Sequence, residues 1–411
     1  MAEQGNGENQ INASESSASG PLNMNGSSGL APDVASPAGV TRNIGVAKGD
    51  GETSYARNSY FQARAAQELV TQIEEAVDSM RLPSGDGPLV IADLGCATGS
   101  NTLNNVDVIV NRLRRRYRQA SLEEREVAVF FNDLPSNDFN SLFSLIDVDR
   151  CRGAGNSPRN YFAAGVPGCF YSRLFPRSFV NVFFSSYCLH WLSKVPDAVL
   201  DKESPAYNKD SCWIHDGPAE VFAAYREQSV KDLKDFLSFR AQELCSGGLL
   251  ILLFVGRETS KEITDRGRFA YFLRLMDLTF QSLMSEGVLT EEQKNTFNIP
   301  TFTRSMQEIS EIVDGVSSEF IPRRMDLVPF SHFVDNFSKD VDPKVLARKA
   351  FLMFKVTKEP LVEAHIGAAL SKIFWDRCYD IYLGRSDLLQ NFGAESNPEP
   401  HHQVLLVLER R

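Results

Sequence analysis

The order of apolar and polar residues predicts an α/β protein from residue 46 onward. Residues 59–80 place apolar side chains at the spacing of one buried helix face. Short and nearly continuous apolar runs come next, and such runs are typical of parallel strands covered on both faces. The predicted strands are LVIADL, EVAVFFN, VNVFFSS and LLILLFV.

The second half of the chain carries mainly helical patterns. Residues 268–287 lack proline and predict one long helix, which is not the pattern of a simple crossover between strands. Further helical segments lie in NIPTFTRSMQEISEIV and PKVLARKAFLMFKV, before a final predicted strand, HQVLLVLER. We expect these helices to form a cap laid over the strand ends.

These patterns divide the chain into four regions: a disordered tail over 1–45, an α/β core over 46–260, a helical cap over 261–345, and C-terminal helices with the last strand over 346–411. The tail is rich in Gly, Ser and Asn and has almost no large apolar side chains, so it cannot build a core. Its first basic residue is Arg42, whereas a transit peptide would be basic and poor in acids. We therefore expect a cytoplasmic protein.

Composition narrows the function classes. The 411 residues carry a net charge of −10, which argues against a nucleic-acid partner, and the basic run RLRRRYR predicts a solvated helix face. No apolar run approaches the roughly 18 residues of a membrane span, so no membrane partner is expected. Seven cysteines without a CxxC pair indicate reduced thiols rather than disulfides or structural zinc.

The segment VIADLGCATGSNT ends a predicted strand in a turn and begins a helix. A dinucleotide-binding turn would read G-x-G-x-x-G and would cradle a pyrophosphate. Here the spacing is Gly95-x-x-x-Gly99, and Asp93 at the strand end would repel phosphate. The ligand on that side is therefore expected to be uncharged or cationic.

Polar residues also follow the next two core strands. Asn132, Asp133 and Leu134 end the second, while Tyr187, His190 and Trp191 follow the third. Ligands of a doubly wound sheet bind at the carboxyl ends of its strands, so these clusters should converge on one rim. A single strand-terminal Asp often only caps a helix or forms a turn. Two such carboxylates, one placed for ribose hydroxyls, favour a nucleoside without phosphates.

Seven motifs occur in order along the chain: SYARNSYFQ, DLGCATGSNT, FFNDLPSNDFN, GVPGCFYSRLFP, SSYCLHWLSKVP, RAQEL followed by GG, and FNIP. Through these motifs the sequence resembles the plant SABATH methyltransferases from residue 46 to the C-terminus. The resemblance implies a class I S-adenosylmethionine-dependent methyltransferase sheet, Rossmann-like, with an α-helical cap, in a homodimer. It also implies a carboxyl O-methyltransferase that converts a small organic acid to its methyl ester.

The resemblance assigns the donor, S-adenosyl-L-methionine, to residues near the strand ends. Carried over position by position, the donor-binding residues are Lys48, Ser59, Asp93, Gly95, Asn101, Asp133, Leu134, Cys169 and Phe170. Cys169 stands where the family usually has Ser. The Lys48 match depends on a loop that differs in length by one residue.

The same resemblance assigns the acceptor side. Gln62 and Trp191 would hold the acid's carboxylate, Tyr187 and His190 would line the pocket, and Tyr55 would help to close it. Leu273 occupies a position where salicylate-preferring members carry Trp, which implies a differently shaped pocket. Because a carboxylic acid is already ionised at pH 7, the reaction needs no general base, and His190 is expected to shape the pocket.

Some family members also bind Mg²⁺ away from the reacting atoms. The counterparts here are Asn208, Asn295, Phe297 and Asn298, and Asn295 replaces the only carboxylate. A hard cation prefers carboxylate oxygen, so this replacement should weaken the site.

Two alternatives remain open from the sequence. The chain could be an N-methyltransferase of a purine or xanthine, or a non-catalytic protein of this fold that binds a small acid. The pair Gln62 and Trp191 argues against the first, and the complete donor site argues against the second. Acceptors of benzoate, salicylate, cinnamate or plant-hormone type are all compatible with the residues.

Overall fold

A mixed sheet organises the described part of the molecule, and four of its parallel strands come from the predicted apolar runs. The computed structural model describes residues 44–152, 159–209, 211–214, 217–258, 268–330, 342–385 and 401–411. Its strands are β1 Leu89–Leu94, β2 Val127–Asp133, β3 Phe162–Pro167, β4 Val180–Ser186, β5 Leu244–Arg257, β6 Arg304–Ser305, β7 Phe320–Phe330 and β8 His401–Arg410. The order is β3-β2-β1-β4-β5-β8-β7, with β6 paired to β5. Only the pairings of β8 with β5 and β7 are antiparallel.

Helices pack on both faces of this sheet and beyond its strand ends. They are α1 Tyr55–Asn58, α2 Tyr60–Glu68, α3 Val70–Ser79, α4 Ser100–Gln119, α5 Phe139–Arg152, α6 Ala219–Glu243, α7 Arg268–Ser285, α8 Glu291–Asn295, α9 Met306–Asp314, α10 Pro343–Ile366 and α11 Ala368–Gly384. A 3₁₀ turn spans Asp197–Val199. Among the described helices, none combines the length and the hydropathy needed to cross a bilayer.

Three apolar clusters hold these layers together. One packs α2, α3 and α4 on one sheet face, and another packs α6 and α9 on the opposite face. The third joins α7, α10 and α11 in an aromatic cap. In this cap the rings of Phe272 and Phe354 stack with centroids 4.8 Å apart, and Phe280 lies 4.6 Å from Phe374. The predicted α/β sheet with a helical cap is confirmed.

Two elements differ from the sequence prediction in a way that has a physical reason. Strands β3 and β7 were not predicted, and both lie at the edges of the sheet. All six residues of β3 are at least partly exposed, and they are mostly small residues followed by a proline, which is a weak strand pattern. Pro322 and Pro329 interrupt β7, and proline is tolerated on an edge strand because it lacks only the N–H group.

Element boundaries also differ from the predicted regions. The predicted helix over 59–80 is two helices, α2 and α3, separated at Leu69. The range 261–345 contains β7, which lies in the sheet, while α10 and α11 pack in the cap cluster with α7. The predicted tail, apart from residues 44 and 45, lies outside the described residues.

Candidate active site

The turn after β1 folds against the end of β2. The amides of Gly95 and Cys96 both donate to the carbonyl of Asn132, at 2.9 and 3.0 Å. Gly95 has φ +82°, and a Cβ atom there would lie 2.2 Å from Sγ of Cys188. Both the left-handed backbone and this close approach require glycine. The turn therefore brings the ends of β1, β2 and β4 together.

Asp93, in β1, presents one satisfied and one unsatisfied carboxylate oxygen. The Thr102 hydroxyl donates to Oδ2, while the buried Oδ1 accepts no hydrogen bond from any described residue. Burial raises the pKa of Asp93 to about 7; the Thr102 hydrogen bond opposes this rise and the charge of Asp133 adds to it. A cationic or hydrogen-bond-donating ligand would satisfy Oδ1 and favour the ionised form.

Asp133 ends β2 with its carboxylate fixed by backbone amides. Ala97 N–H donates to Oδ2 and Leu134 N–H donates to Oδ1, each at 2.7 Å. Burial raises the pKa of Asp133, and both hydrogen bonds oppose that rise. Each oxygen keeps a further lone pair. This fixed carboxylate suits a pair of ribose hydroxyls.

Helix α1 lies directly over the turn. The Asn101 side chain donates to both the carbonyl and the hydroxyl of Ser59, each at 2.9 Å. A Cβ at Gly99 would lie 3.4 Å from Cα of Ala56, so the two backbones are in close contact. Burial, followed by the charges of Cys188, Asp133 and Asp93, raises the pKa of Tyr55. The structure thus gathers Ser59, Asn101 and Tyr55 around the two carboxylates.

Phe170 follows β3 and faces the same turn. Its Cε1 lies 3.8 Å from the position that a Cβ at Gly95 would take. Cys169 beside it accepts a hydrogen bond from the amide of Ser172 at 3.0 Å through its carbonyl. Its thiol is half-buried, and burial raises the pKa of that thiol. Both predicted residues therefore lie on a loop at the donor rim.

A buried ion pair fixes this loop. Arg240 and Glu243 are both 0% exposed and lie 2.8 Å apart. The Arg240 guanidinium donates to the carbonyls of Phe170 and Ser172, both at 2.8 Å. Glu243 Oε1 accepts from the backbone amides of residues 174 and 175, at 2.6 and 3.0 Å. The RAQEL motif at the end of α6 thereby positions the Phe170 loop.

Lys48 lies farther out than the other predicted donor residues. It is exposed, and its charge contributes to lowering the pKa of Asp138 after the hydrogen bonds from Ser141. The neighbouring Gly49 amide donates to Asp138 at 3.2 Å. Lys48 therefore lies beside the start of α5, and its contact with the donor stays a prediction.

Two of the predicted acceptor residues contain buried polar atoms without a hydrogen-bond partner among the described residues. Among the described residues, Gln62 Oε1 and His190 Nδ1 are buried and have no hydrogen-bond partner. The Trp191 backbone is fixed by a bridge to Thr301 and by the Tyr171 hydroxyl, which donates to the Trp191 carbonyl at 2.6 Å. Buried polar groups are normally satisfied, so Gln62 and His190 point to a bound molecule.

His190 is neutral at pH 7 in this environment. Burial, together with the nearby charges of Lys358 and Arg304, lowers its pKa to about 3. A group with so low a pKa is a poor proton acceptor near neutrality. This agrees with a pocket-shaping role for His190.

The family comparison decides the identity. The family model described as "SAM dependent carboxyl methyltransferase" matches residues 41–411. The chain belongs to the SAM-dependent carboxyl methyltransferases. The resemblance to the SABATH methyltransferases is thereby confirmed, and the chain is an enzyme that methylates a small organic acid.

Relatives and a solved structure agree with this family. Gibberellic acid methyltransferase 2 of Arabidopsis thaliana is 39% identical over 337 residues, which cover 80% of this chain and 86% of the relative. Indole-3-acetate O-methyltransferase 1 of the same species is 36% identical and covers 82% and 89%. The structure of loganic acid methyltransferase with SAH aligns with a TM-score of 0.77 at 30% identity, covering 89% and 98%.

Two predicted pocket residues of this methyltransferase lie deep in the protein. The Tyr187 hydroxyl donates to Gln403 at 2.9 Å, and its ring meets Phe61 edge-on at 5.6 Å. Leu273 is 0% exposed and belongs to the cap cluster, where its carbonyl accepts from the Cys212 thiol at 3.6 Å. Their contact with an acceptor stays a prediction.

The predicted Mg²⁺ ligands of the methyltransferase are engaged with one another and with protein groups. Asn208 donates to Asn298 Oδ1 at 2.8 Å, and Tyr225 donates to the same oxygen at 3.4 Å. The Asn295 amide donates to Glu291 at 3.3 Å, and Phe297 is fully buried. Within the described residues no group of three or more His, Cys, Asp or Glu could hold a metal ion. The residues do not fit Mg²⁺, and its predicted site receives no support.

Sequence reasoning missed Lys358 of α10. Its Nζ lies 4.8 Å from the centroid of the ring of Trp191, a residue predicted to hold the acceptor. A signal was available. Lys358 occupies a helix stripe whose other members, Phe351, Phe354, Leu361 and Val362, are buried apolar residues.

Proposed function

We propose that the enzyme holds an ionised acid between Gln62 and Trp191 and the methyl donor between Asp93 and Asp133. The unsatisfied buried atoms carry this proposal. Asp93 Oδ1 marks the donor side, and His190 Nδ1, which donates in one tautomer, marks the acceptor side; the Gln62 amide, whose buried oxygen is also unsatisfied, would present its Nε2 donor to the carboxylate with its two ends exchanged. Because buried polar groups cost free energy when unpaired, these atoms favour a site that its ligands complete.

The donor-side residues fit S-adenosyl-L-methionine. A carboxylate fixed by two amides at Asp133 can take ribose hydroxyls, and the second carboxylate at Asp93 can take a cationic group. Phe170 offers an aromatic face at the same rim. The donor, when bound, supplies the methyl group that a carboxylate oxygen of the acid receives.

The chain's task in this reaction is positioning. The acid is already an anion at pH 7, so no side chain has to remove a proton. Neutral donors on Gln62 and Trp191 orient the carboxylate and leave its oxygen nucleophilic, whereas a bidentate Arg would stabilise the ground state more. Alignment of two reactants can contribute roughly 7–11 kcal/mol to lowering the barrier.

The proposed acceptors are organic acids of benzoate, salicylate, cinnamate or plant-hormone type. The names of the two relatives specify gibberellic acid and indole-3-acetate. Leu273, in place of a larger Trp, and the fully buried aromatic cap favour an acid larger than benzoate.

A panel of free acids with labelled donor tests the function, and the product is extracted as a neutral ester. Gln62→Leu should raise KM for the best acid at least tenfold and lower kcat, because the carboxylate loses one orienting donor. Gln67→Leu on the same helix is the matched control, since that side chain is exposed. Methylation of a xanthine and of no acid would replace the proposal by N-methylation.

The cellular and oligomeric parts of the proposal rest on other features. The six described cysteines are all free thiols, which suits a cytoplasmic enzyme. The homodimer follows from the SABATH resemblance, and sedimentation equilibrium tests it: a single species of about 46 kDa would contradict it.

A further inference from the structure

Lys358 is an unusual residue for its place in the fold. It is 4% exposed, in the stripe of α10 that packs into the aromatic cap. Lysine is almost never fully buried in proteins, because removing an ammonium from water is costly. Lys355, one turn earlier, behaves in the ordinary way and pairs with Glu359 at 3.2 Å.

The ammonium of Lys358 lies among residues of the acceptor side. Its Nζ is 4.8 Å from the Trp191 ring centroid and 5.3 Å from that of Phe354, and it donates to the Thr357 hydroxyl at 2.9 Å. Lys358 also acts electrostatically on His190, whose Nδ1 has no partner among the described residues. Lys358 therefore faces the same space as the residues proposed to hold the acid.

The charge of Lys358 is compatible with neutral pH. Burial lowers the pKa of Lys358 to about 7, and the nearby Cys212 thiol opposes this effect. The ammonium is therefore partly protonated near neutrality, and a hydrogen-bond acceptor brought close by a ligand would favour the protonated form.

Nζ of Lys358 lies too far from the proposed carboxylate position at Trp191 to bind that carboxylate. An oxygen bound to the indole N–H of Trp191 lies in the ring plane, whereas the ammonium lies over the ring face. A cation over the face and an acceptor at the N–H edge are roughly 6–7 Å apart, which is beyond one hydrogen bond. Lys358 and Trp191 would then contact different parts of one acid.

We propose that Lys358 is a specificity-determining residue that selects acids carrying a second hydrogen-bond-accepting oxygen several bonds from the carboxylate. A carbonyl, lactone or hydroxyl oxygen meets this requirement. A purely hydrocarbon acid offers the ammonium no such oxygen and binds less tightly. The proposal rests on the proposed function, because it takes Gln62 and Trp191 as the carboxylate site.

A matched pair of acids tests this selection. The two acids are 3-acetylbenzoate and 3-ethylbenzoate. They have nearly the same shape, but the acetyl acid has a carbonyl where the ethyl acid has a methylene. Calorimetry measures their binding to the enzyme loaded with S-adenosylhomocysteine. Wild type should bind the acetyl acid about tenfold more tightly, as a charge-assisted hydrogen bond contributes roughly that factor. Lys358→Met should abolish the preference, and Lys358→Arg should retain part of it.

The controls separate selection from a structural role. Lys355→Met, on the same helix, should keep the preference. Methionine matches the shape of lysine and removes a buried charge, so the melting temperature of Lys358→Met should not fall. An equal loss of affinity for both acids in Lys358→Met, equal wild-type affinities, or no binding of either acid would each overturn the proposal. A failure to methylate any acid in the panel would instead overturn the proposed function.

Discussion

At the scale of single residues, backbone amides fix the orientation of the Asp133 carboxylate, which is proposed to bind the methyl donor. Asp133 is fixed by the amides of Ala97 and Leu134, and Ala97 adopts a left-handed φ of +52° to reach it. A non-glycine residue in that region is uncommon and is retained where the surroundings require it. The turn thus holds the carboxylate in place before any ligand arrives.

Asp133→Ala should weaken donor binding. The loss of charged hydrogen bonds to the ribose should cost about 1.5–3 kcal/mol, or roughly 10- to 150-fold in the dissociation constant. Titration calorimetry with S-adenosylhomocysteine measures the change, and Asp138→Ala serves as a control carboxylate near the same rim. An unchanged dissociation constant would remove Asp133 from the donor site.

His190 predicts a pH dependence of stability. Its pKa is lowered from 6.5 to about 3 on folding, so the unfolded chain takes up a proton first as the pH falls. The stability that depends on neutral His190 is present above pH 6.5 and is lost progressively as the pH falls from 6.5 towards 3. Denaturant unfolding measures this effect: between pH 7.5 and pH 5, the free energy of unfolding should fall less in His190→Asn than in wild type.

The same variant separates a pocket residue from a base. Turnover of His190→Asn should stay within roughly tenfold of wild type, well below the 10²–10⁴ typical of a lost general base. The acid preference or KM should change instead. A larger loss, together with the disappearance of an inflection near pH 6.5, would indicate an acceptor that must lose a proton.

At the scale of elements, α6 acts on the donor site through its last turn. The pair Arg240 and Glu243 connects the helix end to the loop that carries Phe170. Neither side chain touches the proposed ligands, so both are positioning residues.

Arg240→Met should leave the buried Glu243 with only its 3.5 Å contact to the partly exposed Arg173, and should destabilise the fold by up to about 3–5 kcal/mol. The double variant Arg240→Met with Glu243→Gln should recover part of that loss, since no charge remains buried. Chemical denaturation measures both changes. In the double variant the loop loses its guanidinium contacts, so donor affinity should stay reduced even where stability returns; recovery of both would assign the pair a purely structural role.

The elements that were easiest to predict from the sequence are those that are buried on both faces and therefore consist of apolar residues. The strand LLILLFV is covered on both faces, and the structure places its residues from Leu249 to Phe254 fully inside. Lys358 shows the opposite case. Its apolar stripe indicates that this lysine is buried, but only the packing of α7, α10 and α11 in the cap shows which residues surround it.

At the scale of the whole molecule, the candidate donor residues are easier to group from the sequence than the candidate acceptor residues. Asp93, Asp133 and the turn between strand and helix are contiguous in sequence with the strands that position them, so local pattern was sufficient. The acceptor side combines α2, the loop after β4 and α10, which are far apart in the chain. Only the fold shows that Lys358 and Trp191 face one another.

The edge strand β7 has a consequence for how copies of this protein behave when crowded. In the described part of the chain the sheet order ends at β7, so one side of that strand offers backbone groups to a neighbour. Pro322 and Pro329 remove two amide donors from β7, and Arg323 and Arg324 place charge along it. Such an edge is a poor template for adding a strand from another chain. The prolines that concealed this strand in the sequence therefore protect the folded protein from edge-to-edge aggregation.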